Sequence, residues 1–100
     1  MKREPRKLKR EWGSPFERER HRRIKAAVAA YAYEVKDNPI MSDAKYDRLA
    51  LEINVRKSTG NEFMDKWFRD NFDPSTGMWV RNHPDRKGLN RIYKMLKRRR

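Results

Sequence analysis

An all-α fold, a small helical domain built on an antiparallel helical hairpin with two further helices and basic flexible ends, is predicted by three features of this sequence. Apolar residues recur at helical spacing in several separate stretches. Capping residues stand just ahead of most of them. The best candidate for extended chain, Met78-Trp79-Val80, is too short to make a sheet without a partner strand.

The first thirteen residues, MKREPRKLKREWG, hold six Lys or Arg, with Leu8 and Trp12 as the only bulky apolar groups. Such a segment cannot bury enough surface to order itself, so a flexible basic arm is expected over 1–13. Ser14, Pro15, Phe16 and Glu17 then carry the S-x-x-E spacing of a capping box with Pro at the first helical position, and a long helix should start there. Its first turns, FERERHRRIK, read as exposed. The following AAVAAYAYEV is nearly free of charge and must pack on something. Asp37, Asn38 and Pro39 should end this helix.

Ser42 is a second N-cap, followed by Tyr46, Leu49, Ala50 and Ile53 at i, i+3, i+4 and i+7. The short connection implies an antiparallel pair over 14–57. Ser58, Thr59 and Gly60 break the pattern, and Asn61 can cap a third helix with an aromatic stripe of Phe63, Met64, Trp67 and Phe68, read as core. Beyond the turn formers Asp73 to Gly77, Met78 to Val80 are expected to lie extended across the helices. The chain turns again near His83 and Pro84. Leu89, Ile92, Tyr93 and Leu96 then mark a last amphipathic helix, running into a basic tail. Residues 14–100 therefore read as a single small domain, with the hairpin in 14–57 and the C-terminal helices in 58–100.

Charge is sorted along the chain. The 100 residues carry 27 Lys and Arg against 14 Asp and Glu, a formal net charge of +13. The first 25 residues contribute +7, residues 26–85 contribute −2, and the last 15 contribute +8. A nearly neutral core with cationic ends points to an anionic partner, either nucleic acid (DNA or RNA) or an acidic protein or nucleoprotein surface. Lys2, Arg3, Arg6, Lys7, Lys9 and Arg10 at one end, and Lys94, Lys97, Arg98, Arg99 and Arg100 at the other, are the candidate phosphate contacts. Arg18, Arg22 and Lys25 add one ridge on the first helix. Trp12 beside that ridge could stack on an exposed base or anchor the arm to the body. The blander reading, that both ends are solvated solubility tails, stays open.

With no Cys, the chain has no thiolate metal site and no thiol nucleophile. No apolar run is long enough to cross a bilayer and no secretory signal is evident, so a cytoplasmic protein without a membrane partner is expected. His21 and His83 lack the spacing that brings two imidazoles to one metal, and no metal site is expected. The four glycines form neither a phosphate loop nor a dinucleotide fingerprint.

The stretch YAYEVKDNPIMSDAKYDRL, from Tyr31 to Leu49, resembles the N-terminal helical domain, Ia, of the bacterial NAD-dependent DNA ligases. In that family a helix ends in an aromatic pair, a D-x-P turn follows, and the next helix opens with S-D-x-x-Y-D-x-L. Those elements stand here in order as Tyr33, Glu34, Asp37, Pro39, Ser42, Asp43, Tyr46, Asp47 and Leu49. The resemblance covers roughly residues 16–56. It implies a site for the nicotinamide mononucleotide (NMN) half of NAD, with Tyr33 and Tyr46 on the ring and Asp43 and Asp47 meeting the ribose and amide. Where many of those ligases place His, this chain has Glu34, a carboxylate that would repel a phosphate. A scaffold reading of the same residues also stands: Tyr33 and Tyr46 packed between helices, Asp43 serving a helix N-terminus, and Asp47 paired with a lysine.

A ligase needs a lysine nucleophile in a K-x-D-G context, which this chain lacks, so enzyme activity is not expected. No resident cofactor is expected, with NMN or NAD left open. Two function classes result. One is a small non-catalytic accessory protein with a ligase-Ia-like core, associating with nucleic acid through basic ends and suited to a bacteriophage or mobile element in a bacterial cell. The other is an NMN-binding, NAD-binding or ligase-directed module using the hairpin face, including mimicry that competes for a host adenylation domain. Oligomeric state is not legible.

Overall fold

A computed structural model describes residues 14–98, and they fold as a small all-α domain. Four α-helices, α1 (Pro15–Glu34), α2 (Asp43–Glu52), α3 (Glu62–Asn71) and α4 (Arg86–Arg98), are joined by loops and by a 3-10 helix over Met78–Asn82. No strand occurs among the described residues. The basic arm, with Trp12, and the final Arg99 and Arg100 lie outside them.

The local start signals act as their chemistry dictates. Ser14 Oγ accepts from the Glu17 amide at 3.1 Å, Ser42 Oγ from the Lys45 amide at 3.2 Å, and Asn61 Oδ1 from the Met64 amide at 3.1 Å. Each satisfies one of the orphan amide donors of a helix N-terminus. Asp85 does the same for α4, its Oδ1 accepting from the Gly88 amide at 3.0 Å. Helix α1 stops where Asp37 enters the left-handed region at φ 52°, with the Asn38 amide donating back to the Ala32 carbonyl at 2.8 Å.

Helix α1 is the central strut, and α2, α4 and the 3-10 helix all pack on it. The small residues Ala26 to Ala30 and Ala32 are buried and let neighbouring backbones approach closely. Phe68, Trp79, Val80, Leu89 and Tyr93 complete the core. Trp67, Phe68, Phe72 and Trp79 interlock at ring-centroid separations of 5.0 to 6.1 Å, in the edge-on and tilted arrangements that aromatic quadrupoles favour.

Three expectations about the fold differ from the structure. Phe63, read with Met64, Trp67 and Phe68 as core, is exposed, because it stands at the outer edge of that stripe, farthest round α3 from the buried Phe68. Met78 to Val80 are not extended. They form the 3-10 helix, whose Trp79 and Val80 are buried against α1. The first turns of α1 are not uniformly exposed either: Glu19 and Arg23 are buried. Arg23 donates to Glu19 at 2.9 Å and to Asp65 at 2.8 Å, while its remaining nitrogen donates to the Asn54 and Lys57 carbonyls, each at 2.9 Å. Glu19 in turn accepts from the Asn54 amide at 2.9 Å. With every arm of the guanidinium satisfied, burial of these charges becomes tolerable, and α1 is riveted to α3 and to the loop before it.

Candidate functional site

The resemblance residues meet in space. A cavity of about 330 Å³ lies between the C-terminal half of α1, the start of α2 and the turn Ser75–Met78, and Tyr33, Asp43, Tyr46 and Asp47 all line it. Helical geometry brings them together. Asp43 and Asp47 are i, i+4 on α2, Tyr46 lies one turn from Asp43, and Tyr33 stands on the last turn of α1. Gly77 closes the floor: a Cβ there would stand 3.3 Å from the Ala30 Cβ and 3.5 Å from Glu34 Cγ, so a side chain would crowd the α1 surface.

The two tyrosines do different work. Tyr46 is half-buried, and its hydroxyl donates to the Thr76 carbonyl at 3.2 Å while accepting from Trp79 Nε1 at 3.1 Å. Burial pushes the Tyr46 phenol above its ordinary range, the Trp79 hydrogen bond opposes this, and nearby Asp47, Glu34 and Asp73 push the same way as burial. Its hydroxyl is therefore committed to the protein, leaving only ring edge or face for a ligand. Tyr33 is 54% exposed and presents a ring to the cavity and to solvent. Asp43 and Asp47 are exposed, and no ion pair joins Asp47 to a lysine among the described residues.

Glu34 also lines the cavity, and its Oε1 accepts from Arg81 Nη2 at 3.1 Å. Arg81 thus offsets the Glu34 carboxylate on the cavity lining. Nothing in the local sequence signals this pair, because the two residues are 47 positions apart.

The candidate phosphate contacts are distributed differently. Helix α4 carries Arg86, Lys87, Arg91, Lys94, Lys97 and Arg98 and no acidic residue. All are exposed except Lys97, which is partly buried. Leu89 and Tyr93 are buried, with Ile92 and Leu96 packed against the core, so docking of the apolar stripe fixes the cationic face toward solvent. On α1, Arg18 and Lys25 are exposed, whereas Arg22 is partly buried and tied to Glu19 at 3.0 Å. The ridge anticipated there is thus partly neutralised. Lys2, Arg3, Arg6, Lys7, Lys9, Arg10, Arg99 and Arg100 fall outside the described residues.

Among the described residues, no group of three or more His, Cys, Asp or Glu is placed to hold a metal ion, and no helix is long and apolar enough to cross a membrane. Comparison with protein families, with curated proteins and with solved structures finds no match.

Proposed function

We propose that this chain is a non-catalytic accessory protein that associates with nucleic acid, alone or within a nucleoprotein assembly, through its basic ends. The observation that carries this reading is α4: six cations, no acid, and no ion pair to any of the six among the described residues. A cationic helix face held toward solvent by a docked apolar stripe suits the phosphate backbone, where charge supplies affinity without sequence reading. The +13 net charge of the whole chain supports the same partner.

The test is fluorescence anisotropy of the full chain with labelled duplex DNA and duplex RNA at two salt concentrations. Affinity for at least one duplex is expected to fall steeply as salt rises. Absence of binding at low salt overturns the reading.

A second reading, an NMN-binding or ligase-directed hairpin, is favoured by the convergence of Tyr33, Asp43, Tyr46 and Asp47 on one cavity. An exposed tyrosine face suits a cationic ring, and carboxylates accept from hydroxyl and amide donors. Titration with NMN and NAD while following tryptophan and tyrosine fluorescence tests it, and a flat response dismisses it.

A further inference from the structure

A groove of about 860 Å³ runs between the first half of α1, the start of α3 and α4, and it shares no lining residue with the Tyr33 cavity. Its walls are largely apolar, with Ile24, Phe68, Leu89, Ile92 and Met95 prominent. The charged residues on its lining are of both signs, Arg20 and Arg91 with Glu62 and Asp85, while Arg23 is neutralised by Glu19 and Asp65.

His83 lies in this lining with only 9% exposure. Its Nδ1 accepts from the Asp85 amide at 3.0 Å, which puts the ring proton of the neutral imidazole on Nε2. The Trp67 and Phe68 rings hold the imidazole edge-on, at centroid distances of 5.2 and 6.4 Å. Nε2–H has no hydrogen-bond partner among the described residues. The one partnerless side-chain polar atom sealed from open space among them is Arg22 Nε. His83 Nε2 is therefore not sealed off, and the residue that carries it lines the groove. A largely apolar cleft with a few fixed polar groups is how proteins orient small ligands.

We propose that this groove binds a compact, uncharged, apolar molecule with one hydrogen-bond acceptor, a ketone oxygen or a heteroaromatic nitrogen, which receives the His83 Nε2–H. Apolar walls supply affinity by removing the ligand's surface from water. The rim carries both signs of charge, with Arg91 of α4 beside Glu62 and Asp85 on the lining, and so gives no strong preference for an anion. The donor supplies selectivity, because an analogue without an acceptor leaves Nε2–H desolvated and unpaired.

Benzophenone and diphenylmethane share two phenyl rings, and only the first carries a carbonyl. Titration of the full chain with each is followed by the ¹⁵N and ¹H resonances of the His83 ring, and near-ultraviolet irradiation of bound benzophenone maps the site by insertion into nearby C–H bonds. Saturable one-to-one binding is expected, with benzophenone roughly tenfold tighter, a shift at Nε2, and cross-links at Met95, Met64 or Ile92. His83→Phe should abolish the difference between the two ligands. Met95→Glu, at an exposed position of the mouth, should weaken both while leaving the fold intact. Equal affinities for the two ligands, an unmoved His83 resonance, or cross-links confined to the Tyr33 cavity would each overturn the proposal.

Discussion

Arg23 donates to Asp65 at 2.8 Å across 42 residues of sequence, and both side chains are almost fully buried. This pair joins the N-terminal half of α1 to α3, with Glu19 as the second anion of the cluster. Arg23→Met would leave two carboxylates buried without their cation. A loss of roughly 3–5 kcal/mol in unfolding free energy is expected, read by urea denaturation followed through tryptophan fluorescence. A change of only a few tenths would mean that the cluster is not structural.

The same cluster sets an acid limit. Burial opposes ionisation of Asp65, but the Thr59 hydroxyl at 2.6 Å, the Thr59 amide at 3.0 Å and the Arg23 guanidinium outweigh it and hold the carboxyl below its ordinary range. The unfolded chain therefore takes up this proton first as pH falls. Its stabilisation is complete above the ordinary aspartate range and is lost as pH drops through the depressed folded value. Stability measured from pH 5 downward should fall less steeply in Asp65→Asn, from a lower starting point.

His83 acts in a milder window. Burial depresses its pKa below the ordinary histidine value, although Asp85 pulls the other way. Below about pH 6.5 the unfolded chain binds a proton that the folded protein refuses, so stability should decline from there until the folded value is reached. Urea midpoints at pH 7.5 and pH 5.5 check this, and His83→Gln should flatten the difference. An unchanged midpoint in the parent protein would show that His83 titrates normally.

How much of this was legible in the sequence depended on range. The caps at Ser14, Ser42 and Asn61 could be read directly, because a cap and its amide lie three residues apart. The amphipathic stripe of α4 could be read because Leu89 and Tyr93 recur at helical spacing. The burial of Glu19 and Arg23 could not, since FERERHRRIK looks like a solvated face until Asp65 arrives from another helix. Arg81 offsetting Glu34 was hidden for the same reason. Met78 to Val80 carry β-favouring Trp and Val, yet packing against α1 curls them into a 3-10 turn.

In the hairpin cavity, the two tyrosines should separate on substitution. Tyr46→Phe removes a hydroxyl that serves both the Thr76 carbonyl and Trp79 Nε1, at a cost of roughly 1–3 kcal/mol in stability. Tyr33→Ala, at an exposed position, should leave the melting temperature nearly unchanged and remove any response to NMN. Destabilisation by Tyr33→Ala comparable to that of Tyr46→Phe would favour the scaffold reading of the pair.

The most direct measurement is the salt dependence of duplex binding by the full chain and by an Arg91→Gln, Lys94→Gln double variant. Both positions are exposed on α4, so the fold should be kept. If both residues contact phosphates, the slope of log affinity against log salt should become shallower by about 0.9 per lost contact on duplex DNA. A double variant that matches the parent in affinity and slope would contradict the assignment of α4 as the nucleic-acid face.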